Sequence, residues 1–148
     1  MNHEKIIKNE SFLANRNFKT LFHISDIHLR NQEDRFLEYK QQIIKTCLVI
    51  KNHEKYHKDE SLIIVTGDIF HEGLHISAHA ILLLKQFVTN LTELADTIII
   101  PGNHDDKKDV GTITQDSLTA ILNFSYHKNL KLHYLKSSGI YYFGTNLV

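Results

Sequence analysis

The sequence predicts an α/β fold in which helices cover a parallel sheet. Apolar, β-branched runs alternate with amphipathic segments in the order strand, helix, strand, helix, strand, and this alternation is typical of parallel sheets. Each of the three apolar runs also ends in a short loop that contains Asp together with His or Gly. The chain has 148 residues, about the size of one domain and long enough to bury a core.

The first strand is predicted at Thr20–Ser25, where TLFHIS leads into DIHLR. Residues 1–19 are polar with scattered apolar side chains, and we interpret them as an N-terminal extension or a short helix. From Glu33 the pattern becomes helical, because apolar residues recur every three or four positions with charges between them. The predicted apolar stripe consists of Phe36, Tyr39, Ile43, Cys47 and Ile50.

The second strand is predicted at Ser61–Thr66, where SLIIVT is a continuous apolar run typical of a strand buried on both faces. It ends in GDIFHEG. Ser77 is the predicted N-cap of the next helix. The apolar stripe of that helix consists of Ala80, Leu84, Phe87, Leu91 and Leu94.

The third strand, TIIIP, ends in GNHDD. A shorter helix is predicted at Gln115–Leu122, and the segments LKLHYL and IYYFG predict two more strands. Right-handed crossovers between parallel strands place the ends of the first three strands at one edge of the sheet. Ligand sites of open parallel sheets lie beyond that edge, so we expect the three loops to form one site.

Composition and targeting signals favour an intracellular protein. Lys plus Arg and Asp plus Glu number 17 each, so no overall charge indicates a nucleic-acid or membrane partner. Cys47 is the single cysteine, which excludes an intrachain disulfide and fits a reducing compartment. Neither a secretory signal nor an apolar run of membrane-spanning length is found. We expect a cytoplasmic or nuclear location, no secretion and no membrane partner.

The three loops carry side chains that suit a metal site. The plausible ligands are Asp26, His28, Asp68 and Asn103, and the candidate acid-and-orienter pair is His104 and Asp105. Oxygen and imidazole ligands together suit Mn, Fe or Zn. Asp26 and His28 are two residues apart, so both could reach inward from an extended loop. The Asp68 carboxylate could bridge two cations, and glycines at 67 and 102 would allow tight turns beside the site.

Each motif also has a simpler interpretation. An Asp after a strand is often a turn former or a helix cap, and a lone DxH or GD is weak. GNHD directly after an apolar strand is more specific. The ordered set of three, each behind a predicted strand, favours a functional site.

The motifs DIHL, GDIF and GNHD resemble the first three signature motifs of the calcineurin-like metallophosphoesterases. The resemblance covers about residues 20–148 and implies an α/β/β/α sandwich with a two-metal centre. This chain would hold the N-terminal βαβαβ part and a truncated second sheet. The resemblance implies that Asp26 and His28 bind the first metal, that Asp68 bridges both metals, and that Asn103 binds the second.

The same resemblance implies roles in two-metal phosphoester hydrolysis for the residues after the metal ligands. His104 would face the scissile phosphate, and Asp105 would orient His104. SDIHL followed by GDIFH is more similar to the SbcD/Mre-type DNA double-strand-break-repair exonucleases than to the protein phosphatases, which show GDxxDRG and GNHE. In those exonucleases a histidine after the GDxF turn lies near the substrate phosphate, and His71 occupies that place.

This branch implies DNA as the substrate, two divalent ions with Mn²⁺ favoured over Fe or Zn, a homodimer and an ATPase partner subunit. Two alternatives stay open: a small-molecule or cyclic-nucleotide phosphodiesterase, and a non-catalytic scaffold of the same fold. The family's later histidine and its GHxH motif have no counterpart here, because only His127 and His133 follow Asp105 and neither follows a glycine. The domain at residues 20–148 is therefore expected to be an incomplete N-terminal portion.

Overall fold

The structure of the chain is a computed structural model, which describes residues 6–7, 16–71, 76–103, 105, 118–119, 121–122, 131–137, 140–143 and 146–147. The strands in these ranges are β1 (Ile6–Ile7), β2 (Thr20–Ser25), β3 (Ser61–Thr66), β4 (Asp96–Ile100), β5 (Leu132–Tyr134), β6 (Ile140–Phe143) and β7 (Asn146–Leu147). The helices are α1 (Phe36–Lys51), which follows a 3₁₀ turn at Glu33–Arg35, and α2 (Ala78–Leu94).

Strands β2 to β5 form a four-stranded sheet in chain order, and every neighbouring pair is parallel. The register places Ile64 of β3 opposite His23 on one side and opposite Ile98 on the other. Because the strands are parallel, their carboxyl ends lie at the same edge. The predicted α/β fold is confirmed, and the three motif loops all leave the sheet at this edge.

The two helices pack on one face of this sheet. The core on that face contains Ile43 and Ile50 of α1. The buried members from α2 are Ala80, Leu83, Leu84, Phe87, Val88 and Leu91, and those from the sheet are Ile63, Val65, Ile99 and Leu132. Ser77 caps α2, since its Oγ accepts a hydrogen bond of 3.2 Å from the Ala80 nitrogen. Both predicted apolar stripes therefore face the core, because their remaining members also pack against it.

The opposite face of the sheet is covered by a second sheet. Leu62, Ile64 and Ile98 cluster there with Tyr141 of β6. Strand β6 lies between β1, to which it is parallel, and β7, to which it is antiparallel. The layers are thus helices, sheet and sheet, and the strand predicted at IYYFG is confirmed over Ile140–Phe143.

Two predictions concern segments of which the structure describes only part. Ile6–Ile7 form a strand, so the short helix considered for residues 1–19 is wrong at these two positions; the boundaries of the extension and of the domain stay predictions. In the helix predicted at Gln115–Leu122, residues 118–119 and 121–122 are helical, and the rest lies outside the described residues. In the part of the chain that is described, no helix is long and apolar enough to cross a membrane.

Candidate metal centre

Three of the predicted metal ligands meet beyond the ends of β2 and β3. Asp26, His28 and Asp68 each offer one ligand atom, and these atoms lie within 4.8 Å of one another. Oδ1 of Asp26 is 3.8 Å from Nε2 of His28. Two carboxylates held this close repel each other, and a cation between them removes that cost. Two carboxylates and one imidazole form a donor set that suits Mn, Fe or Zn, so the residues present fit a divalent metal.

The backbone at all three ligands is left-handed. The φ angles are 55° at Asp26, 48° at His28 and 47° at Asp68, and within the described residues no other non-glycine has a positive φ. Asp and His tolerate this region better than most residues, but it still costs free energy, and such strain clusters at functional sites. The extended loop expected from Asp26 to His28 is wrong. The two side chains converge on the site from left-handed positions instead.

Hydrogen bonds between the first two loops hold the ligands in register. The His28 nitrogen donates to the Asp68 carbonyl at 2.9 Å, and the Leu29 nitrogen donates to the Ile69 carbonyl at 2.7 Å. The His71 nitrogen then donates to the Leu29 carbonyl at 3.0 Å. Leu29 and Ile69 are buried. The parallel pairing of β2 and β3 therefore continues beyond the strands. There the buried side chains of Leu29 and Ile69 alternate with the functional side chains.

The third loop contacts the second through two glycines. Gly67 has a φ of 71°, which confirms the predicted tight turn, and its nitrogen donates to the Ile100 carbonyl at 2.9 Å. Gly102 serves a different purpose. A Cβ on residue 102 would overlap both the backbone nitrogen and Oδ1 of Asp68. Glycine is required there because the chain after β4 passes directly against a metal ligand.

Asp105 fastens the third loop to the second. Its carboxylate is buried and accepts hydrogen bonds from the backbone nitrogens of Ile69 at 3.1 Å, Phe70 at 3.0 Å and Gly102 at 3.0 Å. Reasoning from the sequence missed this role, which nothing in the residue pattern signals. The predicted role of Asp105 in orienting His104 stays a prediction, because His104 lies outside the described residues.

The fourth predicted ligand, Asn103, is exposed at the same edge of the sheet. It follows Gly102, which contacts Asp68. Asn103 also borders an open cleft whose other side is formed by Leu135 and Lys136. The structure thus places Asn103 in the loop that touches the metal ligands, and its coordination of a second metal stays a prediction.

His71 lies beside the metal ligands. Its ring centroid is 5.5 Å from that of His28, and the two rings are tilted by 74°. His71 also lines a cleft of about 270 Å³ together with Arg30, Asn31 and Gln32. Its predicted place near a substrate phosphate stays a prediction. Arg30 was not among the predicted site residues, although a charged residue directly after DIHL is a signal in the sequence.

Comparisons with known proteins agree with this geometry. Residues 19–146 match the family model described as calcineurin-like phosphoesterase. An uncharacterized protein of Acanthamoeba polyphaga mimivirus is 37% identical to this chain over 125 residues. The matched region covers 84% of this chain and 9% of that viral protein. The match therefore spans less than a tenth of the length of this curated relative.

Proposed function

Because this chain belongs to the calcineurin-like phosphoesterase family, we propose that it carries the metal centre of a metal-dependent phosphoesterase that hydrolyses phosphodiester bonds in DNA. The observation that carries the proposal is the meeting of Asp26, His28 and Asp68 within 4.8 Å beyond the sheet. Asp residues that only form turns can adopt left-handed backbone, but they would have no reason to converge on one point together with a histidine. Left-handed backbone at all three positions adds to this, because backbone strain clusters at functional sites.

The residues divide into those that hold metal and those that act on the substrate. Asp26 and His28 would hold a divalent ion from the first loop, and Asp68 would hold it from the second, with Asn103 as a ligand from the third. Bound divalent ions supply Lewis-acid activation of water and of the phosphoryl oxygen. His104 would give a proton to the leaving oxygen, as a positioned general acid does. Asp105 keeps the loops in place through its three backbone hydrogen bonds.

The preference for DNA rests on the likeness of SDIHL and GDIFH to the DNA-repair exonuclease motifs. It is supported by the position of His71, whose ring lies 5.5 Å from His28 at the side of the metal centre. The same proposal includes a homodimer, an ATPase partner subunit and an intracellular location. The balanced charge of the chain means that DNA affinity would come from local contacts at the site.

The experiment uses the complete phosphoesterase domain, with the later histidine motifs present, and measures Mn²⁺-dependent hydrolysis of a blunt-ended DNA duplex, a cyclic nucleotide and bis(p-nitrophenyl) phosphate. His104→Ala should lower turnover by about 10²–10⁴-fold and leave bound metal almost unchanged, because it removes a proton donor and not a ligand. Asp68→Asn should lower both turnover and the amount of bound metal, because it removes a charged ligand. The control is Asp59→Asn, an exposed acid that pairs with Arg16, which should change neither.

Each outcome separates the candidates. Hydrolysis of the small ester or the cyclic nucleotide without hydrolysis of DNA would favour the small-molecule phosphodiesterase. Metal binding without hydrolysis of any substrate would favour the scaffold. If His104→Ala lost metal as completely as Asp68→Asn, the division of roles between ligands and acid would be wrong.

A further inference from the structure

We infer that Arg30 binds a second phosphate group of the substrate, next to the phosphoester that is hydrolysed at the metal centre. The inference rests on the proposed phosphoesterase function and narrows its substrate class. The preferred substrate would carry at least two phosphates, as a nucleic-acid strand or a nucleoside polyphosphate does, and an isolated phosphodiester would lack the second contact.

Arg30 lines a cleft together with Asn31, Gln32 and His71. Arg30 follows Leu29, whose carbonyl accepts a hydrogen bond of 3.0 Å from the His71 nitrogen. The His71 ring in turn lies 5.5 Å from the ring of the metal ligand His28. The cleft therefore begins beside the metal centre. Its volume of about 270 Å³ has room for several water-sized groups, each of which fills about 30 Å³ in the liquid.

The Arg30 guanidinium differs from those of the other arginines in its ion pairing. The chain has two other arginines, and both pair with acids: Arg16 with Asp59 at 3.1 Å and Arg35 with Glu38 at 2.7 Å. For Arg30, the described residues provide no hydrogen-bond or ion-pair partner. A guanidinium presents donors in a planar fork that matches phosphate oxygens. Among the three arginines, Arg30 is thus the one whose guanidinium has no acidic partner within the described residues, and it can bind an anionic ligand.

The described residues that line the cleft include no acid, and one of them, Asn31, is hydrogen-bonded to the start of α2. Asn31 Oδ1 accepts a hydrogen bond of 2.8 Å from the backbone nitrogen of Ser77, the N-cap of α2. Glu33, the nearest acid in sequence, lies 3.5 Å from Nδ1 of His79 and does not line the cleft. A phosphate that contacts these described lining residues would therefore meet no carboxylate from them.

The test compares the binding of ligands with one and with two phosphates. Calorimetry in the presence of Mn²⁺ would measure affinities for thymidine 5′-monophosphate, thymidine 3′,5′-bisphosphate and α,β-methylene-ADP. The bisphosphate has the phosphate spacing of a nucleic acid, and the methylene analogue has that of a polyphosphate. We expect the wild type to bind one of these two ligands about 10- to 100-fold more tightly than the monophosphate, the range expected for charge-assisted hydrogen bonds. The preferred ligand identifies the source of the second phosphate.

Arg30→Ala should reduce this affinity ratio towards one, and Arg30→Lys should retain part of it, because a point charge lacks the guanidinium fork. Arg35→Ala is the matched control, since it removes an arginine that is already paired with Glu38, and it should leave the ratio unchanged. A wild type without preference for either two-phosphate ligand, or a preference that survives in Arg30→Ala, would overturn the inference.

A separate measurement distinguishes this failure from that of the proposed function. If the wild type hydrolyses bis(p-nitrophenyl) phosphate with Mn²⁺ while the affinity ratio is insensitive to Arg30→Ala, only the second-phosphate site is wrong. If the ratio depends on Arg30 but no metal-dependent hydrolysis occurs, the phosphate site stands and the phosphoesterase assignment falls.

Discussion

At the three metal ligands the backbone adopts a conformation that residues with a Cβ avoid. A left-handed residue costs about 1–2 kcal/mol, although Asp and His adopt this region more often than most residues do. Asp26 has a φ of 55° and an exposed side chain, so packing gives little stability in return. The strain is explained if the position is retained for metal binding.

Asp26→Gly should therefore separate stability from metal binding. Without metal, glycine adopts this φ freely, and the free energy of unfolding should rise by about 1 kcal/mol. Metal affinity should fall, because a carboxylate ligand is lost. Urea unfolding in EDTA and Mn²⁺ titration would measure the two effects. Asp26→Asn removes the same charge and tolerates the same backbone, so it is the control, and Asp26→Gly should be more stable than Asp26→Asn by about 1 kcal/mol. A loss of stability in Asp26→Gly would show that the carboxylate has a structural role.

The Asp105 side chain, unlike that of Asp26, should stabilise the fold, because its carboxylate is buried and hydrogen-bonded to three backbone nitrogens. Asp105→Asn replaces one acceptor oxygen with a donor that faces backbone N–H groups. The free energy of unfolding should fall by about 1–3 kcal/mol, the usual cost of leaving a buried polar group unpaired. Asp59→Asn should cost at most about 1 kcal/mol, since its ion pair with Arg16 is exposed. Urea unfolding would measure both variants. Equal losses of unfolding free energy would contradict the role of Asp105 in joining the loops after β3 and β4.

At the scale of elements, the loops after β3 and β4 depend on each other through Gly102. In Gly102→Ala the new methyl group would overlap Asp68, so one of the two loops has to move. The free energy of unfolding should fall by about 1–3 kcal/mol, as for other overpacked sites, and Mn²⁺ affinity should fall because a ligand is displaced. Thr89→Ala on the exposed side of α2 should change stability by less than about 0.5 kcal/mol. Wild-type metal affinity in Gly102→Ala would show that the loops are not coupled.

In strand β5, His133 should make the free energy of unfolding depend on pH. His133 is buried in this strand, and burial lowers the pKa of His133 below its usual value of about 6.5, against a smaller raising effect of Asp96. Between the two pKa values the unfolded chain binds more protons than the folded chain, so stability falls as the pH drops below about 6.5. In His133→Leu the slope between pH 7 and pH 5 should decrease by at most about 1.4 kcal/mol per pH unit.

Urea unfolding at several pH values would measure this slope. The control is His57→Gln, which replaces an exposed histidine and should keep the wild-type slope. If His133→Leu had the same slope as the wild type, another group would be responsible for the loss of stability in acid.

At the scale of the whole molecule, the sheet and both helices could be predicted because their signals are local. SLIIVT is continuous and apolar, and it forms a strand in which five successive residues are buried. The stripe that includes Ile43 and Ile50 faces the core. The order of the elements then determines where the motif loops meet, since parallel strands end at one edge. The shared position of Asp26, His28 and Asp68 followed from topology alone.

The features that were missed depend on contacts between distant segments. Ile6–Ile7 form a strand only because they pair with Ile140 and Tyr141 of β6, and two residues carry no periodic pattern. Two of the three hydrogen bonds of Asp105 join it to the loop after β3, 36 and 35 residues away, and the third joins it to Gly102 in its own turn. The left-handed backbone at Asp26 had no signal in the residue pattern of its own loop. Such details require coordinates because each has its cause in another part of the chain.

The most direct test of the metal centre counts Mn²⁺ ions bound per chain. The electron paramagnetic resonance signal of free Mn²⁺ reports the bound fraction in the wild type, in Asp68→Asn and in the exposed control Asp59→Asn. Loss of a supporting contact around a metal typically weakens binding by about 10- to 100-fold, and loss of a direct ligand should cost at least as much. The wild type and Asp59→Asn should bind at least one ion per chain, and Asp68→Asn should bind at least about 10-fold more weakly. A wild type that binds no Mn²⁺, or an Asp68→Asn variant that binds it equally well, would contradict the account.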